Sequence, residues 1–109
     1  MASTYKVLAQ SNPSATTATT LYTCGSTLGA ITSTITICNQ AATAGTYRIA
    51  VRPAGATLAT QHYVAYDVAI AANDTTALTL GITLANTDVI TIYASSANMS
   101  FHLYGTELS

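Results

Sequence analysis

Alternation with a period of two dominates this 109-residue chain, and helical periodicity is nearly absent. Over residues 30–38, Ile31, Ile35 and Ile37 fall on one face, and Thr32, Thr34 and Thr36 on the other. Over residues 88–94, Ile90, Ile92 and Ala94 oppose Val89, Thr91 and Tyr93. Near the end, Phe101 and Leu103 oppose His102 and Tyr104. Strands with one apolar face have to bury it against another sheet, and Thr and Tyr keep strand propensity on the opposite face.

Turn residues divide the chain at roughly ten-residue intervals. Strands are expected near 4–10, 18–24, 30–38, 46–52, 62–70, 75–80, 88–94 and 100–104. Asn12-Pro13, Gly25 to Gly29, Pro53-Ala54-Gly55, Asn73-Asp74 and Ser95 to Asn98 punctuate them. Residues 81–87 read as a linker and 54–61 as loop. About eight short strands predict an all-β fold, a single antiparallel β-sandwich over residues 1–109, with the jelly roll as one eight-stranded candidate. Residues 1–20 are expected to supply an extended N-terminal strand or arm, with 11–20 a mobile loop or part of that arm.

Charge is scarce. Lys6, Arg48, Arg52, Asp67, Asp74, Asp88 and Glu107 make up 6% of the chain, where about 25% is usual. A net charge of -1 gives little colloidal repulsion and no basic patch for phosphates, so nucleic acid is not an expected partner. No apolar run spans a bilayer, and the first residues lack a signal-peptide pattern, so a membrane partner is not expected and the chain reads as assembled in the cytoplasm. A surface this poor in charge suits a protein whose faces are covered by neighbours.

Reactive groups are few. If residues 18–24 and 30–38 form one hairpin about Thr27, Cys24 and Cys38 lie well over ~20 Å apart, so two buried free thiols are expected. A disulfide would require the two strands to belong to different sheets. His62 and His102 have no ligand spacing, which leaves no expected metal or other cofactor. Asp74 and Asp88 read as turn carboxylates bonding nearby backbone. No serine sits in a nucleophile elbow, and the six glycines form no phosphate loop. The expected class is therefore non-enzymatic, with no catalytic residues. Asp67, mid-strand, invites pairing with Arg48 or Arg52 across strands or subunits. Tyr47, Arg48, Arg52, Tyr63, Tyr66 and Asp67 are the candidate interface residues, because Tyr and Arg dominate contact energetics.

Three stretches carry a resemblance: Tyr47 to Gly55 followed by Ala71 to Thr75, Leu78 to Leu84, and Asp88 to Ala94. Across about residues 18–106 the chain resembles small virion structural proteins of tailed bacteriophages, of the cyanophage and marine phage type. Cys24-Gly25-Ser26 departs from that pattern, which has an apolar-Pro-Ala-Gly type of turn there. The resemblance implies a homo-oligomer, trimeric or hexameric, in contact with other virion proteins, as a tail, baseplate or capsid decoration component. The alternative expectation is a carbohydrate-binding module that takes a glycan in host recognition.

Overall fold

The computed structural model describes residues 2–109 and is all-β. Nine strands form: β1 (Ser3–Ser11), β2 (Thr19–Thr23), β3 (Ala30–Asn39), β4 (Gly45–Arg52), β5 (Tyr63–Ile70), β6 (Thr75–Leu78), β7 (Thr83–Leu84), β8 (Val89–Ala94) and β9 (Met99–Leu108). Sheet A has the order β1-β9-β3-β6, with β7 pairing β3; sheet B has the order β2-β8-β4-β5. Apart from the short β7, strands pair outermost with outermost: β1 with β9, β2 with β8, β3 with β6 and β4 with β5, all antiparallel. One long hairpin rolled on itself gives this jelly-roll order. The contacts β3–β9 and β4–β8 then join the pairs into two sheets.

The two inner faces share one core. Ile35, Ile37, Phe101 and Leu103 from sheet A meet Ile49, Ile90 and Ile92 from sheet B, none more than 2% exposed. Each such side chain contributes roughly 1.5–3 kcal/mol on burial. Asn39 is the polar exception at the end of β3. Its amide donates to the carbonyls of Thr43 and Ala71, and its Oδ1 accepts from the Ala41 amide, so burial leaves it satisfied.

Straight alternation fails at one place in β3. Ile31 is 45% exposed, whereas Thr32 is 3% exposed, although Ile35 and Ile37 are core residues. The register against β9 shifts between Thr32 and Thr34, so Ser33 is an extra, bulged residue. One inserted residue reverses the inward and outward sense of everything before it. A second bulge, between Val7 and Ala9 of β1, lies on the other side of β9 at the same level. Between them sits Gly105, where a β-carbon would come 2.3 Å from the Ile31 carbonyl oxygen. Bulges bend and twist a sheet, which is how sheet A curls around the core.

Three further expectations change. β2 and β3 do not form a hairpin but lie in different sheets. Cys24 and Cys38 are nonetheless free, because Cys24 is buried while Cys38 lies on the outward side of β3, opposite Thr75 and Ser100. The segment expected to be mobile is held to the body: Pro13 is buried, the Asn12 amide donates to the carbonyls of Ala97 and Met99, and the Thr16 amide donates to the Ala94 carbonyl. The presumed linker contains β7, which extends the edge of sheet A beside Ala30 and Ile31. Residues 54–61 hold only parts of two 3-10 turns, Pro53–Gly55 and Thr60–His62.

Candidate interaction surfaces

Inward positions on β4 are Tyr47 and Ile49, which leaves Arg48 outward and directly across from Tyr93 of β8. On the other side, β5 runs past β4 with two register irregularities, and Asp67 adopts a left-handed φ of 49°. That twist brings the Asp67 carboxylate back over β4. Arg48 Nε donates to Asp67 Oδ1 at 2.6 Å, and Nη2 to Oδ2 at 3.3 Å. The guanidinium lies 4.2 Å from the Tyr66 ring centre and 4.1 Å from that of Tyr93. Tyr63 packs edge-on against Tyr66 with ring centres 4.9 Å apart. Two-point pairing with a carboxylate and stacking between aromatic rings are what a planar guanidinium can do and an ammonium cannot.

Four of the six expected contact residues therefore converge: Arg48, Tyr63, Tyr66 and Asp67. The ion pair forms across strands within one chain. Tyr47 does not join them. It is 1% exposed and belongs to the core, because its register position faces inward, and burial pushes its phenol pKa up. Arg52 is outward but tied down within the chain. Its Nε donates to Thr91 Oγ1 at 3.0 Å and its Nη1 to the Ala56 carbonyl at 3.0 Å. Residues 53–62 thus cover one end of sheet B, which explains why outward Val89 and Thr91 are buried. Sequence reasoning missed Tyr93 as a partner. Its outward position was legible, but its pairing with Arg48 required knowing that β4 and β8 are neighbours.

A second polar cluster sits where the sheets meet. Tyr22 of β2 donates its hydroxyl to Glu107 Oε2 at 2.5 Å, and Lys6 of β1 pairs with Glu107 Oε1 at 2.8 Å. The hydrogen bond from Lys6, followed by that from Tyr22, holds the Glu107 carboxyl below its ordinary range. Burial, followed by the Glu107 hydrogen bond, pushes the Tyr22 phenol well above its ordinary range. This cluster joins β1, β2 and β9, and no local sequence pattern announces it.

The remaining charges are also engaged. Asp74 Oδ1 accepts from the Thr75 amide, while Asp88 accepts from the Ala85 amide and from that of distant Ala54. His62 lies in a 3-10 turn rather than a strand, and its Nδ1 accepts from the Ala59 amide. His102 of β9 accepts from the Gln10 amide group at 3.2 Å. Among the described residues, no three His, Cys, Asp or Glu side chains gather as metal ligands.

The outer face of sheet A differs in kind. Tyr5, Lys6, Ile31 and Tyr104 line a depression of about 410 Å³ beside the twin bulges, and outward Val7 sits next to Tyr104 in the register. Gln10, Thr34, Thr36 and His102 continue the same face. Tyr5 is 81% exposed and touches water over most of its ring. No family model matches this chain, nor does any curated protein or solved structure.

Proposed function

We propose that this chain is a non-enzymatic virion structural protein of a tailed bacteriophage, working as a homo-oligomeric component of the tail, baseplate or capsid decoration. One observation carries the reading: all seven charged side chains are engaged within the chain, which leaves an exterior of Thr, Ser, Ala and exposed apolar groups. Such a surface repels its own copies weakly and gives up little on being covered. The jelly-roll order supports the reading by fold-level analogy, since capsid proteins use it, as lectins and cupins do. Trimers or hexamers in contact with other virion proteins, assembled in the host cytoplasm, are the expected context.

Native mass by size exclusion with light scattering tests this. A closed trimer or hexamer supports the reading, and a monomer at every concentration argues against self-assembly. Exposed Tyr66, 56% accessible beside the Asp67 carboxylate, favours a second reading as a glycan-binding module. Binding to a glycan array that is lost in Tyr66→Ala would support that reading over the first.

A further inference from the structure

Sheet edges and sheet faces offer different routes to self-association. The free edge of β5 is interrupted by two register irregularities and by Asp67 at φ 49°, so it cannot extend a regular ladder into another chain. The outer face of sheet B is half covered by residues 53–62 and carries the Arg48–Asp67 pair. A two-fold contact there would bring each guanidinium toward its own copy.

The outer face of sheet A has neither obstacle. Its outward register positions include Tyr5, Val7, Ile31, Thr34, His102 and Tyr104, and none is Asp, Glu, Lys or Arg. Lys6, on the edge strand β1, holds an inward register position but reaches the rim of the depression, where its half-exposed ammonium is paired with Glu107. In a two-fold contact a patch packs on itself, so every charge it carried would meet a like charge. A face whose one charge lies at the edge strand, already paired within its own chain, keeps that cost low. Its size is of the right order. The 9, 10, 10 and 4 residues of β1, β9, β3 and β6, at about 3.4 Å rise and 4.8 Å spacing, cover roughly 540 Å², against the ~800 Å² per partner of a standard interface. The apolar side chains cluster at the bulged end, and hydroxyl, amide and imidazole groups occupy the other. Interfaces combine an apolar centre and polar surroundings in the same way.

The geometry points to the outer face of sheet A as a two-fold interface with a second copy of this chain. The inference rests on the self-assembling reading proposed above and names the face that carries it. A hexamer built from three such pairs, or a plain dimer, satisfies it, and a closed trimer overturns it while leaving the self-assembly reading standing.

The test is sedimentation velocity across a concentration series of the full chain and three variants: Tyr5→Lys, Ile31→Lys and Val64→Lys. All three sites are well exposed, so each variant is expected to fold, and circular dichroism with a thermal melt checks this. Tyr5→Lys and Ile31→Lys place like charges against each other and are expected to weaken pairing at least roughly 100-fold. Val64→Lys, on β5, is expected to change it less than about twofold. An assembled wild type with both face variants still fully assembled overturns the choice of face and leaves the self-assembly reading standing. A wild type that stays monomeric throughout overturns both.

Discussion

The outer faces of the two sheets solve the same problem in opposite ways. Sheet B holds its outward Arg48 in a local structure, clamped by Asp67 and stacked between Tyr66 and Tyr93, and covers its other end with residues 53–62. Sheet A leaves Tyr5, Val7 and Ile31 uncovered, with a single charge, Lys6, at the edge and paired to Glu107. Irregular backbone occurs in both, but in different places. In sheet A the bulges lie to either side of a central strand and curl the whole sheet, whereas in sheet B the irregular pairings involve the two edge strands, β2 and β5. Arg48, Tyr66 and Asp67 on sheet B are therefore bound up with their own chain's structure, and only Val64 and Val68 of the edge strand β5 stand apart from them. Tyr5, Val7 and Ile31 on sheet A are largely free of such ties.

The largest test of that contrast lies beneath sheet A. Gly105→Ala pushes a β-carbon into the Ile31 carbonyl between the two bulges, and a loss of roughly 3 kcal/mol is expected in chemical denaturation. If stability is unchanged, the tight approach of β9 to β3 is not what shapes the sheet.

Next comes the seam between the sheets. Tyr22→Phe removes a hydrogen bond to a carboxylate and should cost about 1–2 kcal/mol near neutral pH. Glu107 has a lowered pKa in the folded chain, so its contribution is present above the ordinary carboxylate range and is lost as pH falls through the folded value. The stability gap between wild type and Glu107→Gln should therefore close on acidification. Tyr22 has a raised pKa, so its contribution is complete below the ordinary phenol range and declines as pH rises beyond it. Alkaline titration of the melting temperature should show a smaller decline in Tyr22→Phe than in wild type, the remainder coming from buried Tyr47.

Arg48→Ala is expected to lower the melting temperature less than Tyr22→Phe does. Its sharper signature is faster amide exchange confined to β5, because the clamp to Asp67 and Tyr66 is then gone. Uniform exchange would mean that the edge strand is held by its ladder alone. The smallest effect belongs to sheet A: Tyr5→Ser should leave monomer stability within about 0.5 kcal/mol, since its ring is almost wholly outside. A larger loss, measured at a concentration where the chain is monomeric, would erase the difference between the two faces.

Much of the architecture was legible before any coordinates. Ile90, Ile92 and Ala94 in β8, and Phe101 and Leu103 in β9, are buried as alternation requires. The Asn73-Asp74 turn is where its residue types demand it, with Asn73 at a positive φ and Asp74 capping the next strand. Four members of the Arg48 cluster were legible as residue types suited to contact. Ile31 was misplaced because nothing in Ile-Thr-Ser-Thr-Ile marks Ser33 as an extra residue; only its pairing with β9 does. Tyr47 was misplaced because Tyr is at home both in a core and on a surface, and register alone decides between them.

The sequence by itself determined the class of structure: short strands with one apolar face, the turns between them, and a surface almost without charge. These follow from neighbours along the chain, where a period of two and the backbone preferences of Gly, Pro, Asn and Asp act directly. Tertiary structure alone decided which strands pair, where the bulges fall, that Arg48 meets Tyr93, and that Glu107 joins Tyr22 to Lys6. Those outcomes depend on contacts between residues 13 to 105 positions apart. They are fixed by how two sheets share one core, which no local pattern encodes.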